Sequence, residues 1–138
     1  MDEKRRALVA GNWKMNGTLD SAATLARGIA AGAGGLPCDL LVCPPALYLG
    51  TVADALAGAD VALGGQDCHG EEGGAHTGDI SAGMLADRGC GFVIVGHSER
   101  RAAPGEDGAP VRLNAALPPR SRPPALGWGR HTAARPRR

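Results

Sequence analysis

Phe92-Val93-Ile94-Val95-Gly96-His97-Ser98-Glu99-Arg100-Arg101 is the stretch that decides the fold. Its four leading apolar residues, mostly β-branched, read as a strand buried on both faces, which is the signature of a parallel sheet. Gly96 ends the strand, and a histidine, a hydroxyl, a carboxylate and two guanidinium groups follow at once. Parallel α/β folds present their reaction sites in this way, at the carboxyl ends of strands.

Working outward from that stretch, the same grammar repeats. Ala7-Leu8-Val9-Ala10-Gly11-Asn12 reads as a first strand ending in polar groups. Thr18 and Asp20 are candidate N-caps for a helix through Leu25, Ile29 and Ala33, which Gly34-Gly35 stops. Leu40-Leu41-Val42-Cys43 is a second buried strand closed by Pro44-Pro45, and a helix is expected over residues 48–56. Val61-Ala62-Leu63-Gly64 is a third strand. A polar loop over residues 66–78 leads to a helix over 80–88, then to the strand Phe92-Val93-Ile94-Val95. A fourth helix is expected to begin within residues 106–117. Strand-helix repeats with strands apolar on both sides indicate a parallel sheet wrapped by helices. In a barrel, the polar residues after the strands (Asn12 and Lys14, Gln66 and Asp67, His97 and Glu99) lie on one face.

Composition narrows the alternatives. The chain has 138 residues, about one domain. At 43% hydrophobic but only 3% aromatic residues, its core must be built from Val, Ile, Leu and Ala. No apolar run approaches the length of a membrane span, and Met1-Asp2-Glu3-Lys4-Arg5-Arg6 does not open a signal peptide. Cys38, Cys43, Cys68 and Cys90 form no C-x-x-C pair, so free thiols in a reducing cytoplasm are expected. All 14 acidic residues precede Gly108, whereas seven of the 15 basic ones, all arginine, follow Asp107. That asymmetry divides the chain. Residues 118–138, rich in Pro and Arg, cannot form a central strand or a helix through Pro118-Pro119 and Pro123-Pro124, and are expected to be unstructured.

Three segments resemble triosephosphate isomerase: Gly11-Asn12-Trp13-Lys14-Met15-Asn16-Gly17, Gly73-Gly74-Ala75-His76-Thr77-Gly78-Asp79-Ile80-Ser81, and Gly96-His97-Ser98-Glu99-Arg100-Arg101. They occur in the family's order and spacing, and the resemblance covers about residues 6–117. It implies a (β/α)₈ barrel acting as a homodimer in glycolysis and gluconeogenesis, interconverting dihydroxyacetone phosphate and glyceraldehyde 3-phosphate without cofactor or metal. By resemblance His97 is the electrophile, a neutral imidazole that polarises the substrate carbonyl. Lys14 supplies positive charge for the phosphate and the developing enediolate, and Asn12 a hydrogen bond to the substrate. Glu99 orients Lys14 and exchanges protons nearby, while Ser98 helps hold the site. Thr77 sits on a loop that enters a neighbouring subunit, with Gln66, Asp79 and Met15 assigned to the same interface. The family usually has Glu where Asp79 stands, so an interface ion pair here is one methylene shorter.

Each residue also has a plainer reading. A histidine after a strand is more often a satisfied turn residue, a lone lysine a solvated charge, and an asparagine a turn former. Glu99 beside Arg100 and Arg101 could be plain helix-end charge. Cys68, His69 and His76 suggest a metal, but the loop lacks a fourth ligand at the usual spacing, so no metal is expected. Seven arginines after Asp107 attract nucleic acid electrostatically, but no fold motif or aromatic platform accompanies them, and nucleic-acid binding is not expected.

No segment of these residues resembles the family's Ala-Tyr-Glu-Pro-Val-Trp-like stretch, which carries its general-base glutamate, nor its lid and two glycine-rich phosphate loops. Four strands cannot close an eight-stranded barrel, so strands one and four are expected to be open edges. The chain therefore reads as a truncated (β/α)₈ barrel, with residues 1–117 its N-terminal half, inactive alone. The alternative is a non-catalytic fragment that binds full-length isomerase through its dimer loop. Gly127-Trp128-Gly129-Arg130, read two bases later, can encode Val-Gly-Glu-Thr, the ending of the family's fifth strand, and so points to a shifted reading frame near Leu117. Nucleotide sequence beyond Leu117 tests this: barrel-coding sequence in a second frame is the expected result, and its absence overturns the shift.

Overall fold

The computed structural model describes residues 6–95 and 112–115. Strands β1 (Ala7–Asn12), β2 (Cys38–Cys43), β3 (Val61–Gly65) and β4 (Phe92–Val95) lie side by side in sequence order, each pairing in parallel with the next. Helices α1 (Leu19–Gly32), α2 (Leu49–Ala55) and α3 (Ala82–Asp87) fill the three crossovers, with a single 3₁₀ turn at Ala46–Tyr48 before α2. Every strand and helix read from the sequence up to Val95 is present, to within two residues at most ends.

Local chemistry sets those boundaries. Thr18 caps α1 reciprocally with Ser21: the Thr18 hydroxyl accepts from the Ser21 backbone N–H at 3.1 Å, and Thr18 N–H donates to Ser21 Oγ at 2.8 Å. Asp20, the other cap candidate, is instead the acidic residue of the first turn, where it favours the positive end of the helix dipole. Ser81 caps α3, its Oγ accepting from Met84 N–H at 3.2 Å. Such caps contribute about 1 kcal/mol each, a large share of the stability of a six-residue helix.

Alternation along the strands produces two apolar clusters, one on each face of the sheet. Val42, Leu63 and Val93 pack outward against Ala22, Ala26, Leu49, Val52 and Leu85 of the helices. Leu41, Cys43 and Ile94 point to the opposite, inner face, with Leu8, Ala10, Ala62 and Phe92 against them. β1 is the exception: outward-facing Val9 is 56% exposed, because no helix covers that edge. The end of β3 carries two glycines, Gly64 on the inner face and Gly65 on the outer. A Cβ on Gly64 would stand 2.8 Å from Cys43 Sγ, and one on Gly65 would stand 2.6 Å from Leu85 Cδ1.

Beyond β4 the structure departs from the helix expected within residues 106–117. Arg112–Ala115 forms a fifth strand, β5, antiparallel to β4, with Phe92 opposite Ala115 and Val95 opposite Arg112. Two physical reasons favour this. Pro110 would interrupt a helix in its interior. The outer edge of β4 also carries unpaired N–H and C=O groups that a returning strand satisfies. The expectation of an open edge at strand four is therefore corrected; β1 is an outer strand, as expected. Residues 118–138, expected to be unstructured, lie outside the described residues. No helix among the described residues is long and apolar enough to cross a membrane.

Gly65→Ala is expected to cost about 1–3 kcal/mol, because Leu85 is 2% exposed and cannot retreat. Denaturant midpoints check this. In the double variant with Leu85→Ala the loss should fall short of the sum of the single losses; an unchanged midpoint for Gly65→Ala would show that α3 does not press on β3.

Candidate active site

The site begins with the parity of β1. Leu8 and Ala10 face the inner cluster, so Asn12, two residues on, stands on that same face at the carboxyl end of the strand. Asn12 Oδ1 accepts from the Lys14 backbone N–H at 2.9 Å, an Asx turn that bends the chain and leaves the amide NH₂ as the donor Asn12 can present. Lys14 completes the bend with φ +56°, the one non-glycine residue with positive φ among the described residues. Such a conformation costs of order 1 kcal/mol and persists only where neighbours hold it.

Gln66 is the neighbour that holds it. It comes directly after β3 with the parity of Ala62 and Gly64, and its Nε2 donates to Lys14 O at 2.7 Å and to Cys43 O at 2.9 Å. Cys43 O also accepts from Trp13 N–H at 3.1 Å. One side-chain amide thus joins the carboxyl ends of β1, β2 and β3. Sequence reading assigned Gln66 only to a subunit interface and missed this clamp. The far side of the β1 loop is tied by Tyr48, whose hydroxyl donates to Gly17 O at 3.0 Å. Nothing local marks Tyr48 for that task, since the bond spans 31 positions of chain.

Cys43, Cys68 and Cys90 are poor candidates for nucleophilic chemistry. Burial, and secondarily the nearby Cys90, pushes the Cys43 thiol up to about 12, and burial pushes Cys90 to about 11. Cys68 is also raised, by burial first and then by Asp67 and Glu72. A thiol held neutral at physiological pH is a poor nucleophile.

The loop between β3 and α3 is closed at its base and shaped at its tip. His69 N–H donates to Ile80 O at 2.7 Å, and His69 and Ser81 form an isolated parallel bridge. At the tip, Asp79 N–H donates to His76 O at 3.0 Å, with Gly78 at φ +90°. A type II turn needs a positive φ at its third position, which glycine supplies. Thr77 is the exposed second residue of this turn. Asp79 Oδ2 lies 4.0 Å from His69 Nε2. A cleft of about 180 Å³ separates the loop from the sheet, bordered by Gln66, Asp67, Asp79 and Ile80. Met15, the other residue assigned to the interface, is 95% exposed.

The structure therefore brings Asn12, Lys14 and Gln66 together and places Thr77 and Asp79 on the loop that starts at Gln66. His97, Ser98 and Glu99 lie outside the described residues. They come two to four positions after β4, and Ile94 near the end of that strand packs into the inner cluster.

Four parallel strands wrapped by helices, with polar groups gathered at the carboxyl ends over an apolar interior, define half of a β/α barrel of the enzyme-bearing kind. A sequence model of triosephosphate isomerase matches residues 7–117, and the chain belongs to the triosephosphate isomerase family. It is 56% identical over 117 residues to a triosephosphate isomerase of Afipia carboxidovorans, covering 83% of this chain and 46% of that one. It is 52% identical over 116 residues to one from Rhodopirellula baltica, covering 82% of this chain and again 46% of the relative. The solved triosephosphate isomerase of Bartonella henselae superposes with a TM-score of 0.67 at 47% identity, over 72% of this chain and 41% of its own. The chain thus spans about half the length of the relatives it matches.

Gln66→Leu keeps the apolar stem and removes both donors. It is expected to cost about 1–3 kcal/mol in chemical unfolding. The amide protons around Lys14 should exchange faster as well. Unchanged exchange at Lys14 would mean that the loop holds its bend without the clamp.

Proposed function

We propose that this chain carries the N-terminal half of a site that interconverts dihydroxyacetone phosphate and glyceraldehyde 3-phosphate, a step of glycolysis and gluconeogenesis, in the cytoplasm. The observation that carries the reading is the Lys14 bend, closed by the Asn12 side chain and held by the Gln66 amide, in a chain matching the family over residues 7–117. Moving a carbonyl between adjacent carbons requires a proton to be removed beside it and charge to be stabilised on oxygen. Lys14 supplies a cation for the phosphate and the enediolate, and the Asn12 NH₂ donates to a substrate oxygen. His97 polarises the carbonyl and carries protons between the two oxygens, with Glu99 and Ser98 ordering its surroundings. No cofactor or metal enters that reaction.

A general base typically contributes about 10²–10⁴-fold, and lid closure protects a reactive intermediate from water. These 138 residues contain no segment resembling either part of the family's site. A polypeptide of these residues alone is therefore expected to isomerise substrate no faster than background.

The exposure of Thr77, and of Met15 at 95%, favours a second reading of the same surface. In it, the loop of residues 73–79 docks on another isomerase subunit, either a second copy or a full-length chain. One set of measurements separates the readings. The purified chain should be silent in a coupled isomerase assay, and turnover abolished by His97→Ala would refute the expected inactivity. Mixing with an intact isomerase should yield mixed dimers if the loop docks, and their absence at micromolar concentration removes that reading.

A further inference from the structure

His69, His76 and Asp79 lie apart in sequence, and linear spacing alone gives no metal motif. The fold brings one donor atom from each to within 4.8 Å of the others. Three backbone features hold them there: the His69–Ile80 hydrogen bond of 2.7 Å, the His69–Ser81 bridge, and the turn that places His76 and Asp79 three positions apart across Gly78. The two imidazoles now stack, with centroids 3.9 Å apart and planes inclined by 26°, so their in-plane lone pairs do not converge until at least one ring turns.

We propose that the loop between β3 and α3 is a divalent transition-metal site, with His69, His76 and Asp79 as ligands. Two imidazoles and a carboxylate select Zn²⁺, Co²⁺, Ni²⁺ or Cu²⁺ over Mg²⁺ and Ca²⁺, which take oxygen donors. Around a tetrahedral ion with bonds of about 2.0–2.2 Å, donor atoms stand roughly 3.3–3.5 Å apart. Closing the observed spread of up to 4.8 Å requires the donors to approach by up to about 1.5 Å and the stacked rings to turn, in a loop whose ligands are exposed or half-buried. Glu71 supports the arrangement from outside. Its carboxylate lies 3.0 Å from His76 Nε2, and in the tautomer that donates there Nδ1 keeps the lone pair that an ion can take. Water completes the coordination.

The same neighbour limits the affinity. Glu71 N–H donates to His69 Nδ1 at 3.0 Å, so binding through His69 Nε2 moves the ring proton and breaks that bond. A lost exposed hydrogen bond weakens binding by up to roughly tenfold. Asp79 is shared with the interface reading, but the proposal does not depend on the isomerase reaction. Its structural effect is to staple the turn that carries Thr77.

The test is calorimetric titration of the untagged full chain with Zn²⁺ and with Co²⁺. One equivalent should bind at micromolar concentration, with no competition from Mg²⁺. His69→Gln and His76→Gln should each weaken it at least tenfold, while Cys68→Ser should leave it unchanged. The Co²⁺ complex should show ligand-field bands without a thiolate charge-transfer band. No saturable binding below millimolar metal, binding that survives both histidine substitutions, or binding that disappears with Cys68→Ser would each overturn the assignment.

Discussion

A parallel sheet has two faces, and both must be removed from water. Each crossover in this chain passes over the same face, so α1, α2 and α3 cover the outer cluster of Val42, Leu63 and Val93. Among the described residues, no helix lies over the inner cluster of Leu41, Cys43 and Ile94. Leu8, Ala10, Ala62 and Phe92 of the strands pack against it. The rest of the structure depends on that constraint. Gly64 and Gly65 keep the third strand thin where both clusters press on it, and the polar residues are driven to the strand ends, because the interior can hold none.

The site shows how a buried apolar interior and a polar rim cooperate. Asn12 and Gln66 lie one step beyond the last interior residues of their strands, so strand alternation alone aims them inward. What alternation cannot do is hold the chain between them. That falls to hydrogen bonds across long sequence separations: Gln66 to Lys14 over 52 positions, and Tyr48 to Gly17 over 31. The strained backbone at Lys14 belongs to the same arrangement, since an ammonium can be pointed from a tight bend only if the bend is restrained from several directions.

Much of this was legible from residue order. Buried strands announced themselves as short β-branched runs, and Thr18, one of two cap candidates, marked where α1 begins. The motif around Asn12 and Lys14 named the family. Three things were not legible, for one shared reason. The Gln66 clamp, the convergence of His69, His76 and Asp79, and the pairing of β5 with β4 all depend on which segments meet in space. Local pattern led to a helix around Leu113, and the free hydrogen-bonding edge of β4 made it a strand instead.

The reversal at β5 changes what the sheet can accept. Strands β1 to β4 run one way and β5 runs the other, with four residue pairs locked along the β4 edge. A further parallel strand, from whatever polypeptide, cannot simply add to that side. It must compete for the same backbone groups and strip β5 away, so growth of the barrel from this edge is a strand-exchange reaction with its own barrier rather than a docking of complementary halves.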